Sequence, residues 1–238
     1  MFFFKIIYNF FFGLHIGKNN PKSVYMMNGV KLLETTEERD IGVTVSCNLK
    51  PAQQCRKAAQ TASVVLGQIT RAFHYRDRRV FLNLYKQYVR PHLEFSVAAW
   101  SPWTKEDIET LEKVQKRAVK AVSGLRSSSY EERLVELKLP SLQERRREID
   151  MVQTYKMVND AESEQIFVRA DGRRETRATT GTDNLLKKRN NHEFRNSFFS
   201  SRVIGEWNSL PNAVKEAKSA TIFKRLYRCH CEGTVAPT

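Results

Sequence analysis

The spacing of apolar positions divides the chain before any single motif is considered. Between Ser23 and Val45 the apolar residues come in short runs: Ser23-Val-Tyr-Met-Met27, then Asn28-Gly29, then Val30-Lys-Leu-Leu33. Asn-Gly between two β-prone runs is a strong hairpin signal, because both residues tolerate the positive φ of a type I′ turn. Ile41-Gly-Val-Thr-Val45 predicts a third short strand, reached through an acidic turn from Thr35 to Asp40. After Pro51 the period lengthens to that of a helix. Ala59, Ala62, Val65, Leu66, Ile69 and Phe73 share one face. Val80, Phe81, Leu84, Tyr85 and Tyr88 share another, which is expected to end before Pro91.

Capping signals place three more helices. Thr104-Lys-Glu-Asp107 sets an N-cap and an acidic first turn ahead of Ile108, Leu111, Ala118 and Val122, with Gly124 as the stop. Ser129-Tyr-Glu-Glu132 opens a second, and Ser141-Leu-Gln-Glu144, after Pro140, opens a third that is expected to run to about Asn159. Residues 161–191 are polar and read as a linker or loop that moves independently of the helices. Beyond them Phe194, Phe198, Phe199, Val203, Ile204, Trp207 and Leu210 suffice for a small satellite core, and a last helix runs from Ala220 to Arg228. The expected fold is mainly α with a small β-hairpin region (α+β). It divides into residues 1–45 (apolar segment and hairpin), 46–160 (helical domain), 161–191 (linker) and 192–238 (C-terminal subdomain).

Composition narrows the partners. The chain has 238 residues, with 40 Lys and Arg against 26 Asp and Glu, a formal charge of +14; 41% of residues are hydrophobic. That excludes an acidic or wholly disordered protein, and a surplus of this size favours polyanions, nucleic acid first. Four cysteines, Cys47, Cys55, Cys229 and Cys231, make no disulfide framework, which points to a reducing, intracellular setting, nucleus or cytoplasm. The opening Met1 to Phe12 carries only Lys5 and is followed by no cleavage site. It is also shorter than the roughly 20 apolar residues a membrane span needs. No membrane partner is expected, and the oligomeric state is left open.

The candidate chemistry is electrostatic. Lys113, Lys116, Arg117 and Lys120 fall at i, i+3, i+4 and i+7, so four cations form one stripe that fits a phosphate backbone. The competing reading is a solvated face partly neutralised by Glu109 and Glu112, and the two weigh equally on the residues alone. Arg145 and Arg146, with Arg147, form a second basic run flanked by Glu144, Glu148 and Asp150. Arg173-Arg174 and Lys187-Lys188-Arg189 read as an RNA-contacting or nuclear-localisation patch, or as solubilising charge. The histidines show no metal-ligand spacing, and Cys229-His230-Cys231 is too compact to close one tetrahedral centre. Trp100, Trp103 and Trp207 are read as core rather than as base-stacking platforms. No catalytic residue, cofactor or metal ligand is expected.

An ordered set of short signatures carries a resemblance. Leu14-His-Ile-Gly17 with Asn20-Pro21, Tyr25-Met-Met-Asn-Gly29, and Arg39-Asp-Ile-Gly-Val43 with Leu49-Lys50 resemble the end of the palm in reverse transcriptases of LINE-type, jockey-like non-LTR retrotransposons. Leu84-Tyr-Lys, Val89-Arg-Pro-His-Leu-Glu-Phe95, Trp100-Ser-Pro-Trp103, Ile108 to Ala118, Tyr130 to Leu134 and Leu139-Pro-Ser-Leu142 resemble the thumb of the same family. Phe198 to Val203 and Trp207 to Pro211 resemble its tail.

The resemblance implies that Asp40, Ile41, Gly42 and Val43 form a primer-grip hairpin, with Gly42 allowing close approach of nucleic acid. It also implies that the cation stripe lies along an RNA or RNA–DNA template-primer duplex, which tips the even weighting toward function. Polymerases of that family hold two magnesium ions on aspartates that include an adjacent pair, and this sequence has no Asp-Asp. The expectation is therefore a truncated reverse transcriptase that binds template-primer and does not polymerise alone, with Met1 to Gly13 outside the resemblance. The alternatives are a helical protein-interaction module or a decayed element without a selected role.

Overall fold

A computed structural model describes residues 2–7, 10–17, 19–160, 166–168, 184–187 and 193–233. It is mainly helical with small sheets, and the chain divides into two compact units: Met1–Ser96 with Pro102–Lys138, and Val97–Ser101 with Leu139–Thr238.

The first unit begins with β1 (Phe2–Ile7) and β2 (Phe10–His15), paired antiparallel from Phe2↔His15 to Ile7↔Phe10. β5 (Leu33–Thr35) adds to β2 in parallel. β3 (Met26–Met27) and β4 (Val30–Lys31) form the hairpin the sequence predicts, with φ of 49° at Asn28 and 77° at Gly29. A second hairpin pairs β6 (Glu37–Asp40) with β7 (Val43–Ser46). Here the expectation is corrected. Glu37 to Asp40 are strand rather than acidic turn, and Ile41 and Gly42, at φ of 43° and 85°, leave the strand to make the two-residue turn.

After Pro51 comes α1 (Ala52–Ala72), which buries Cys55, Ala58, Ala59, Ala62 and Leu66; Gln54 Oε1 accepts the Thr44 N–H at 2.8 Å and ties β7 to it. α2 (Arg78–Leu84) starts on Asp77, whose carboxylate accepts from the Arg79 and Val80 amides. The helix does not end before Pro91. It passes through a π turn, Tyr85–Val89, into α3 (Arg90–Glu94), with the Arg90 N–H donating to the Tyr85 carbonyl five residues back. That wider turn lets proline, which has no N–H to donate, sit in the first turn of α3 instead of breaking a regular ladder.

α5 (Lys105–Lys120) begins on Thr104 as expected but ends before Gly124, and packs on α1 and on α6 (Tyr130–Leu137). Arg133 of α6 donates to the carbonyls of Leu125 at 2.7 Å and Arg126 at 2.9 Å, fixing the α5–α6 connection.

The second unit is built from α4 (Val97–Trp100), α7 (Leu142–Val158), α8 (Glu193–Asn196), α9 (Phe199–Ser209), α10 (Asn212–Lys215) and α11 (Ala220–Glu232). Ser129 and Ser141 close full capping boxes with Glu132 and Glu144. One apolar cluster joins Met151 and Tyr155 of α7 to Val203, Ile204, Trp207, Phe223 and Tyr227, so α7 shares its core with the C-terminal helices.

The described parts of the 161–191 stretch join this core. Phe167 and Leu185 are buried in it, the Leu186 N–H donates to the Val168 carbonyl, and the Asn208 side chain bonds both the N–H and the C=O of Leu185. Arg173-Arg174 and Lys188-Arg189 lie outside the described residues.

Candidate nucleic-acid interface

α5 is amphipathic by construction. Leu111, Val114, Ala118 and Val119 are buried, while Lys113, Arg117 and Lys120 are exposed on the opposite arc. Glu106 and Asp107 occupy its first turn and Arg117 and Lys120 its last, the arrangement the helix dipole favours.

The predicted stripe divides. Lys116 Nζ lies 3.0 and 3.1 Å from the two oxygens of Glu109 and 5.4 Å from the centre of the Tyr130 ring, so a neighbouring carboxylate already engages it. Arg117 reaches the Ser63 carbonyl of α1 at 3.4 Å. Among the described residues, Lys113, Arg117 and Lys120 have no ion-pair partner. Three cations thus point outward and the fourth is held.

The second basic run does not join them. Arg146 is 4% exposed, and Arg145 lies 3.7 Å from Glu148 with its side chain 13% exposed. Both belong to the second unit, α5 to the first. The Arg146 guanidinium, shielded from solvent, offers no donors to a passing phosphate and leaves the candidate set, while Arg145 is engaged by Glu148 and offers no direct contact. Sequence neighbours Glu148 and Asp150, buried beside them, made the run a core network and not a surface patch.

At the grip-like hairpin, Asp40 pairs with Val43, and Ile41 is 86% exposed at the tip. Gly42 sits against a protein ring. A Cβ there would stand 2.8 Å from Phe95 Cε1, so its bareness accommodates a protein ring as well as the left-handed φ.

Sequence reasoning missed a buried polar relay beneath the cation face. Tyr85 O–H donates to Gln115 Oε1 at 2.6 Å, Gln115 Nε2 donates to Tyr130 Oη at 3.0 Å, and Tyr130 O–H donates to Glu112 Oε1. Burial, then the hydrogen bond and charge of Glu112, push the Tyr130 phenol far above its usual range. The available signal was Glu112 and Gln115 lying beside the apolar arc of α5, where polar residues need dedicated partners.

No described helix is long and apolar enough to cross a membrane. Among the described residues no three His, Cys, Asp or Glu side chains gather as metal ligands. Among the described residues no disulfide joins the four cysteines.

No family model matches the chain, and no solved structure matches it. An uncharacterized protein of Caenorhabditis elegans is 25% identical over 128 residues, covering 52% of this chain and 64% of that protein. The match therefore spans less than two thirds of its relative's length, and it carries similarity without an assigned activity.

Proposed function

We propose that the first unit binds a nucleic-acid duplex through its phosphates, with Lys113, Arg117 and Lys120 of α5 as the contacts, in the manner of a reverse-transcriptase thumb on an RNA–DNA template-primer. The observation that carries this reading is the outward row of three cations without carboxylate partners among the described residues, on a helix whose other face is locked into α1 and α6. A rigid row suits a regular backbone, since phosphate contacts position a duplex without reading its sequence.

The activity proposed is binding without polymerisation, because the sequence contains no adjacent aspartates. The exposed tip at Ile41 is the part of the β6–β7 hairpin that supports a grip-like role. The test is fluorescence anisotropy with a labelled RNA–DNA duplex. K113Q/R117Q/K120Q should weaken binding at least tenfold at low salt, equally for unrelated sequences; unchanged affinity in a folded variant would overturn the reading.

A protein-interaction module is the second reading, favoured by the exposure of Tyr88 at 54% and Tyr75 at 80% on the same unit. Association that survives high salt and is lost in Tyr88→Ala would favour it.

A further inference from the structure

In the second unit, one buried carboxylate is outnumbered by cations. Glu148 of α7, 7% exposed, accepts Arg228 Nε at 2.5 Å and Nη2 at 2.9 Å. Lys224 Nζ lies 3.2 Å, and Arg145 Nη1 3.7 Å, from the same Oε1. Glu232 also acts electrostatically on Arg228. Lys224 and Arg228 stand four residues apart on α11, a like-charge spacing that is mildly unfavourable unless more negative charge is supplied.

Counting donors separates this cluster from a structural ion pair in the same unit. Arg202 spends Nε and Nη2 on Asp150 at 2.8 and 2.9 Å, Nη2 also on the Ala98 carbonyl at 2.7 Å, and Nη1 on the Ser197 carbonyl at 3.1 Å. Its side chain is 19% exposed. That guanidinium is nearly saturated and holds α9 to α7 and α4. Among the described residues Arg228 hydrogen-bonds only Glu148 and its side chain is 49% exposed; Lys224 also meets only Glu148 and is 40% exposed. A guanidinium has five N–H donors and an ammonium three, so both side chains keep donors directed to solvent. Glu148 meanwhile fixes their orientation, lowering the entropy lost when a second anion arrives.

We propose that Arg228 and Lys224, backed by Arg145 and oriented by Glu148, form a phosphate site for a nucleic-acid backbone on the second unit, separate from α5 and standing independently of the reading of α5. The guanidinium fork matches a phosphodiester as well as it matches a carboxylate. Glu148 therefore acts as a built-in competitor: it holds the cations in place and limits their affinity.

The test uses the whole chain and a labelled DNA duplex, with affinity measured across a salt series. K224Q/R228Q should flatten the log–log salt slope by about 0.9 for each phosphate that is no longer neutralised, whereas R225Q, one more cation removed from α11, should leave it unchanged. E148Q keeps all three cations and removes the competitor, so it should tighten binding severalfold and steepen the slope, an outcome that mere loss of folding cannot imitate. If the double variant does not fold, K224Q, which preserves the Arg228–Glu148 pair, should give about half the flattening. Unchanged slopes in these variants, no tightening in E148Q, or polyglutamate outcompeting a duplex of equal charge would overturn the proposal. K113Q/R117Q/K120Q, measured alongside, reports on α5 alone, so either site can fail while the other stands.

Discussion

Lys116 and Glu109, two turns apart on α5, form an ion pair at 3.0 Å with both side chains partly exposed. A pair of this kind contributes little stability, about 0.5 kcal/mol by the usual range for exposed pairs. It still decides which cations are available. Glu109→Gln should release Lys116 and raise duplex affinity about two- to threefold, the same small energy read as binding. Lys116→Gln should cost less affinity than Lys113→Gln. Anisotropy titrations of the three variants at one low salt concentration check both statements.

Gly42→Ala should destabilise the first unit by about 1–3 kcal/mol, because it adds left-handed strain to a Cβ that would lie 2.8 Å from the Phe95 ring. Urea unfolding measures the loss. Adding Phe95→Ala should recover only part of it, since the φ of 85° at position 42 is untouched. Full recovery would mean that crowding alone made glycine necessary.

Tyr130→Phe removes the hydroxyl between Gln115 and Glu112 and should cost about 1–3 kcal/mol, the usual penalty for leaving buried polar groups short of a partner. In an alkaline absorbance titration of the wild type, the Tyr130 phenol should ionise well above the usual phenol range, because burial and then Glu112 oppose its charge. A Tyr130→Phe difference titration assigns the late component.

For Glu148, burial pushes the carboxyl up, but the hydrogen bonds and charges of Arg228 and Lys224 together outweigh it and leave it below its ordinary value of 4.5. A carboxyl lowered on folding stabilises above its unfolded value and loses that contribution as pH falls through the folded value. Glu148→Gln should therefore cost about 1 kcal/mol at neutral pH, kept modest by the solvent screening of the two exposed cations. The gap should close as pH falls below 4.5. Thermal melts across that range read it; a gap independent of pH would locate the effect in packing instead.

What could be read from the residues was the local part. The Asn28-Gly29 turn, the caps at Thr104, Ser129 and Ser141, and the outward position of Lys113, Arg117 and Lys120 all follow from interactions within a few residues. What escaped depends on distant partners. Glu37 to Asp40 become strand only because Val43 to Ser46 fold back on them, and a charged run offers no period to announce it. The π turn at Tyr85–Val89 shifts one register around Pro91, which a helical spacing rule reads as a stop. Arg146 is buried because its own helix packs against the C-terminal elements, whereas three consecutive arginines look like surface. Leu185 and Phe167, sparse apolar residues in a polar stretch, are anchored by a core assembled from residues before and after them.

The salt dependence of duplex affinity tests the central claim most directly. If Lys113, Arg117 and Lys120 each neutralise one phosphate of a B-form duplex, K113Q/R117Q/K120Q should flatten the log–log slope by about 2.7, at about 0.9 per phosphate, while the protein remains folded. A slope identical to that of the wild type would contradict the assignment of α5 as the phosphate-binding helix.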